Sequence, residues 1–134
     1  MLSNLRKDRG GFTLVEIMIV VAIIGLLAAI AVPSFIRARQ RAQASTVLNE
    51  ARQLDAAKDQ YALENNKTGT LTPVIADLTP YLKAGSKLAT SSGSDSVGNA
   101  FTIGDLQSRL QVSSTTQNAL SGATGGASFW GPYS

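Results

Sequence analysis

A chain of 134 residues has room for a single domain, and one without cysteine or histidine has no disulfide framework and lacks the commonest neutral-pH base and metal ligand. Charged residues are only 16% of the chain, below the usual quarter. The formal charge of +3 is mostly a property of residues 1–11, where Arg6, Lys7 and Arg9 outnumber the single acid Asp8, so it is no sign of a nucleic-acid partner for the rest. Serines are plentiful, yet none sits in a nucleophile-elbow pattern and no glycine loop follows a strand to cradle phosphate. Enzymatic activity is not expected.

The first element follows Gly10-Gly11. Phe12-Thr13-Leu14-Val15 leads to Glu16, and from Ile17 to Ile36 there is no charge. Twenty such residues make a helix of about 30 Å, the thickness of a bilayer's hydrocarbon core. A cleaved secretory signal would have a shorter apolar run and a small-x-small site in a breaking loop, whereas this run passes into Arg37, Arg39 and Arg41 without a break. Basic residues flank both ends, so charge alone does not orient the span. Glu16 is the anomaly. A carboxylate in hydrocarbon costs several kcal/mol, and a plain anchor would carry leucine there. It asks for a partner.

Gly11-Phe12-Thr13-Leu14-Val15-Glu16 resembles the processing and methylation site of type IV pilins and type II secretion pseudopilins, and the resemblance runs to about residue 64. It implies that residues 1–11 are a leader held in the cytoplasm, that a prepilin peptidase cuts between Gly11 and Phe12, and that the same enzyme methylates the new Phe12 amine. It further implies that Glu16 pairs with the Phe12 amine of a neighbouring subunit. Two charges desolvated in an apolar fibre core strongly favour meeting, and the pair would set the axial stagger of subunits.

Gly25 and Pro33 interrupt good helix formers in the same segment. Glycine weakens a helix by up to ~1 kcal/mol and proline by ~3, and proline also removes the bond to the Ala29 carbonyl and predicts a kink. The resemblance implies that these two bound a stretch able to unwind on assembly.

From Ser34 to Glu64 the spacing of Val47, Leu48, Ala51, Leu54, Lys58 and Tyr61 predicts one amphipathic face, Lys58 giving only its aliphatic stem. Asn49, Glu50, Arg52, Gln53, Asp55 and Asp59 belong to the opposite face. Asn65-Asn66 predicts the end, with asparagine in a left-handed cap. Arg37, Arg39 and Arg41 are expected to meet headgroups or solvent, the alternative being acids of neighbouring subunits such as Glu50, Asp55 or Asp59. Nucleic acid is not an expected partner, since no aromatics interleave with the arginines.

Residues 67–134 are rich in Ser, Thr and Gly. Thr72-Pro73 and Thr79-Pro80 predict short helical turns, and Lys87–Gly98 reads as a loop without an apolar anchor. Ala100–Ile103 and Arg109–Val112 are strand candidates joined through Gly104–Gln107 as a hairpin. The aromatic tail Phe129, Trp130 and Tyr133 predicts a core plug rather than an adhesive patch.

The expected fold is therefore α+β. A leader (1–11), a membrane or fibre-core helix (12–36) and its amphipathic continuation (37–66) precede a small module (67–134) with short helical turns and a small antiparallel sheet. The expected function is a pilin-like subunit, a homopolymer of itself, served by a prepilin peptidase and an inner-membrane assembly platform. It would sit first in a bacterial inner membrane with its module in the periplasm, then in an extracellular pilus or periplasmic pseudopilus. The alternatives are the major pseudopilin of a type II secretion system and a signal-anchored binding module. No cofactor is expected; calcium, which stabilises many major pseudopilins, would have Asp95 and Asp105 to draw on, though neither lies in a calcium-loop pattern.

Overall fold

The computed structural model describes residues 10–134, so the leader's Arg6, Lys7, Asp8 and Arg9 lie outside the described residues. Four helices follow in order: α1 (Leu14–Glu64), α2 (Ile75–Leu78), α3 (Lys87–Thr90) and α4 (Ser114–Thr124), with 3-10 turns at Thr79–Tyr81, Ala127–Phe129 and Gly131–Tyr133. The chain divides into two compact units, the boundary falling within α1 between Phe35 and Ile36.

In the first unit every residue from Phe12 to Phe35 is exposed. Leu, Ile, Val, Met and Ala are adequate to good helix formers, and α1 passes through Gly25 and Pro33 without ending. Just past the proline, the Ser34 hydroxyl donates to the Ile30 carbonyl at 3.4 Å. By length and composition α1 is able to cross a membrane.

The second unit is built on the far half of α1. Ala44, Val47, Ala51, Leu54 and Ala57 recur every three or four residues and are buried, which puts them on one face. They pack in one cluster with Leu78, Leu82, Leu88, Phe101, Leu110, Val112, Leu120, Trp130 and Tyr133. Each large apolar side chain so buried contributes roughly 1.5–3 kcal/mol. The aromatic tail is core: Trp130 is 1% and Tyr133 5% exposed.

Asn66 ends α1 at φ 50°, the left-handed conformation expected of it. Lys67 N–H reaches back to Ala62 O (3.0 Å) and Asn66 N–H to Leu63 O (3.4 Å), which satisfies the last carbonyls in a Schellman arrangement. The Tyr81 hydroxyl then donates to Glu64 Oε2 at 2.5 Å, and that carboxylate holds the phenol protonated above its usual range.

The antiparallel sheet is not formed, and the fold is helical rather than α+β. Among the described residues there are only isolated antiparallel bridges, Ser94 with Ala100 and Thr102 with Gln111. Thr102 and Gln111 exchange both backbone bonds, at 3.0 and 2.9 Å. The ladder then stops on each side for a local reason. Ser113, two residues on, is already the N-cap of α4. On the other side the Asp105 carboxylate takes the N–H groups of Gln107 and Ser108 (3.2 and 2.6 Å), curling the chain where a second rung would need it extended.

Three further expectations are corrected. Helix α2 starts at Ile75, with Val74 rather than Thr72 as its cap and the Val74 N–H bonded to Asp77 Oδ2 at 3.1 Å. The segment Lys87–Gly98 is not a plain loop. Ser86 caps α3 by accepting from Ala89 N–H, and Leu88 supplies a buried apolar anchor at 2% exposure. Glu50 and the Lys58 ammonium are not on the solvent face either. Glu50 is 9% and Lys58 2% exposed, with Lys58 Nζ donating to the Ser108 carbonyl.

Candidate functional site

The region singled out by the sequence is the start of α1. Gly11, Phe12 and Thr13 are non-helical, and Phe12 is 84% exposed, so the Gly11–Phe12 bond lies on an open segment. A Cβ placed on Gly11 would meet nothing within 4 Å, and the same holds for Gly25. Nothing among the described residues therefore demands glycine at either position.

Thr13 and Glu16 form a reciprocal cap. Thr13 Oγ1 accepts from the Glu16 N–H at 3.2 Å, while Glu16 Oε2 accepts from the Thr13 N–H at 2.8 Å and from the Thr13 hydroxyl at 2.9 Å. Thr13 is thus the N-cap and Glu16 the third helical residue of a capping box, satisfying helix-end N–H groups that would otherwise lack a partner. Thr13-Leu14-Val15-Glu16 before an apolar run is the sequence signature of that motif; the interval of three held the signal for it. All three bonds end on Oε2 or Oγ1, and Oε1 accepts no hydrogen bond among the described residues. The carboxylate is held in one orientation with one oxygen to spare.

The rest of the helix presents Ile17, Met18, Val21, Ile24 and their neighbours at half or more of full exposure. A continuous apolar surface of this length is not stable in water and has to be covered by lipid or by other chains.

Beyond the first unit, Arg37, Arg39 and Arg41 are all exposed, with Arg41 Nε donating to the Ala123 carbonyl at 3.2 Å in the last turn of α4. A cation suits that end of a helix dipole. The acids on this half of α1 differ from one another. Asp55 lies 3.7 Å from Lys58 Nζ and 3.9 Å from an Arg109 nitrogen, Asp59 is exposed, and Glu50 Oε2 receives the Ser96 N–H at 2.8 Å.

Neither Asp95 nor Asp105 belongs to a cluster of three or more metal-ligating side chains among the described residues. Asp95 is fully buried. Its Oδ1 accepts from the N–H groups of Val97, Gly98 and Asn99 (3.0, 2.7 and 2.8 Å), and its Oδ2 from the Thr116 hydroxyl at 2.5 Å. Those donors occupy the lone pairs a cation would need. Asp105 is similarly turned on its own loop.

Residues 6–32 match the family model described as the prokaryotic N-terminal methylation motif. The chain is 48% identical over 59 residues to the type IV major fimbrial protein FimA of Dichelobacter nodosus, covering 44% of this chain and 38% of that one. It is 37% identical over 65 residues to the type II secretion system core protein G of Klebsiella michiganensis, covering 48% and 46%. With the type IV major pilin protein PilA of Myxococcus xanthus the identity is 46% over 65 residues, covering 48% and 30%. The chain thus spans less than half the length of each of these relatives. No solved structure matches it.

Proposed function

We propose, from its amino-terminal motif, that the chain belongs with the type IV pilins and type II secretion pseudopilins and is a fibre subunit, cut at Gly11–Phe12 and polymerised through its apolar helix. The observation that carries the reading is the pairing of an apolar segment exposed from Phe12 to Phe35 with an acid at its mouth that keeps one oxygen unused among the described residues. Lipid can cover the apolar surface, but its hydrocarbon offers that acid no cation; within a fibre core a neighbouring subunit's Phe12 amine does. The amine does not exist until the Gly11–Phe12 bond is broken.

In this reading a prepilin peptidase frees and methylates the Phe12 amine, and an inner-membrane platform feeds subunits to the fibre. Glycine at position 11, which packing among the described residues does not require, leaves the scissile carbonyl open to that enzyme. Glu16 then meets that amine on a copy already in place, where both charges are out of water. Gly25 and Pro33 bound the stretch that yields when copies pack. Before assembly the apolar segment lies in the inner membrane, leader to the cytoplasm and module to the periplasm. The subunit acts by packing and charge pairing, without catalysis or a cofactor.

A second reading within the family, the major subunit of a type II secretion pseudopilus, is favoured by the relatives named core protein G and by a carboxy-terminal module without cysteine. Recovery of fibres from sheared cell surfaces supports the pilus, and recovery only from the periplasm supports the pseudopilus. The deciding experiment for both is mass spectrometry of the chain's amino terminus from the membrane and fibre fractions. A chain beginning at N-methylated Phe12 is expected. An intact leader on the membrane-extracted chain overturns the fibre reading in favour of an unprocessed anchor.

A further inference from the structure

Glu50 lines a cleft of about 310 Å³ on the second unit. One wall is a stripe of α1 at helical spacing (Thr46, Asn49, Glu50, Gln53), and the other is the start of α3 at Ser86, Lys87 and Leu88. Glu50 as a residue is 9% exposed, yet only Oε2 of its carboxylate is engaged, by the Ser96 N–H, among the described residues. Behind it the Ser96 hydroxyl is buried without a hydrogen-bond partner. The remaining charge at the cleft, Lys87, is directed to the Ser96 carbonyl at 3.0 Å and makes no ion pair with Glu50. A desolvated carboxylate with a spare oxygen and flanking amide side chains calls for a planar cationic donor, which is the chemistry of a guanidinium.

Arg39 is exposed and pairs with no acid among the described residues. It shares a helical stripe with Glu50 of its own chain but stands eleven residues away, ~16 Å along the axis, beyond the combined reach of the two side chains. It therefore needs another molecule. We propose that Arg39 of one copy enters the Glu50 cleft of a neighbouring copy, a second charge clamp outside the apolar core; this rests on the fibre reading above. Copies whose parallel α1 helices are displaced axially by ~16 Å bring the two residues level, which makes this a different neighbour from the one Glu16 meets at an offset of ~6 Å. Asp55 is already close to Lys58 and Arg109, and Asp59 lies in water, where an ion pair is worth little. Glu50 is the acid for which burial makes the partner count.

The test uses full-length chains in cells that make the fibre. Because the chain has no cysteine, Arg39→Cys in one tagged copy and Glu50→Cys in a differently tagged copy can be joined with a short bis-maleimide, and a mixed dimer is expected only when both are present. Arg39→Glu, at an exposed position that does not threaten folding, is expected to lower fibre yield about thirtyfold or more, the scale of losing one desolvated charge pair, while Arg39→Lys retains more. Normal yield from Arg39→Glu, or fibres of both cysteine variants without a mixed dimer, overturns the clamp and leaves the fibre reading standing. Absence of fibres from the unaltered chain overturns both.

Discussion

Thr13 and Glu16 satisfy each other at the mouth of the apolar helix, the threonine N–H and hydroxyl both falling on Glu16 Oε2 at 2.8 and 2.9 Å. The same carboxylate therefore has two duties that substitution can separate. One is local, closing the first turn of α1. The other is the proposed docking of a neighbour's amine, which needs the charge and the spare oxygen.

Glu16→Gln should divide them. Glutamine serves at this position of a capping box, so the helix start and cleavage at Gly11–Phe12 should persist. The negative charge is lost, and assembly into fibres should fail. Thr13→Ala does the reverse, removing a cap worth about 1 kcal/mol while leaving the charge, and should reduce fibre yield only modestly. Electron microscopy of sheared fractions, with immunoblots for leader removal, reads both. Normal fibres from Glu16→Gln would show that docking needs only hydrogen bonding.

How far the sequence disclosed this arrangement depended on the range of each interaction. Asn66 in its left-handed cap and the face Val47, Ala51, Leu54 were legible because a helix's period and end are local properties. Glu50 was misplaced because its partner, the Ser96 N–H, is 46 residues away, and nothing in the helix period shows that a loop amide will cover an acid. The same holds for the Lys58 ammonium and the Ser108 carbonyl. Thr102 and Gln111 do pair, so the hairpin signal was real over one rung. The competing claims of Ser113 on α4 and of Asp105 on its own loop prevented a second. In the proposed docking site, Gly11, Phe12 and Glu16 lie within six residues of each other. The cap that joins Thr13 to Glu16 needed its spacing read as helix chemistry as well as a processing signal.

Asp95 should prove the most sensitive polar residue of the second unit. Its carboxylate gathers three backbone N–H groups and the Thr116 hydroxyl, which Asn99 Nδ2 also reaches at 2.9 Å. Asp95→Ala leaves these donors buried and unpaired and should cost ~3 kcal/mol or more, at 1–3 kcal/mol for each unsatisfied group. Asp95→Asn keeps an acceptor for the amides and should cost less, ~1–2 kcal/mol. Thermal melts of the detergent-solubilised chain compare them, and equal stability for Asp95→Ala and the unaltered chain would contradict the network.

Asp105 makes a prediction about pH. The Ser108 hydroxyl beside it, and then the Ser108 N–H at 2.6 Å, hold its carboxyl below the usual carboxylate range. A group whose folded pKa is depressed contributes stability that is fully present above its unfolded value, about 3.9, and is lost as pH falls through the folded one. Asp105→Asn should therefore be less stable than the unaltered chain at pH 7, and the difference should shrink as both are titrated below about pH 4. A gap in melting temperature that stays constant down to pH 2 would remove Asp105 from the acid response.

Trp130 tests whether the aromatic tail is core or an adhesive surface. It is 1% exposed and meets the partly buried Phe129 edge-on with ring centroids 5.3 Å apart, while the Val112 N–H bonds the Tyr133 carbonyl at 2.8 Å and ties the tail to the module. Truncating a buried tryptophan leaves a cavity in a close-packed core, so Trp130→Ala should cost 3–5 kcal/mol, roughly the whole margin of a small module. Phe129→Ala, at a half-covered site, should cost about half of that. The chain's single tryptophan makes the first claim directly visible, since native emission should be blue-shifted and move to the red in one transition with denaturant. An adhesive tail would give the opposite pattern, with red-shifted native emission, quenching by iodide, and little stability lost in Trp130→Ala. Burial of the indole in the core of the module requires the first pattern.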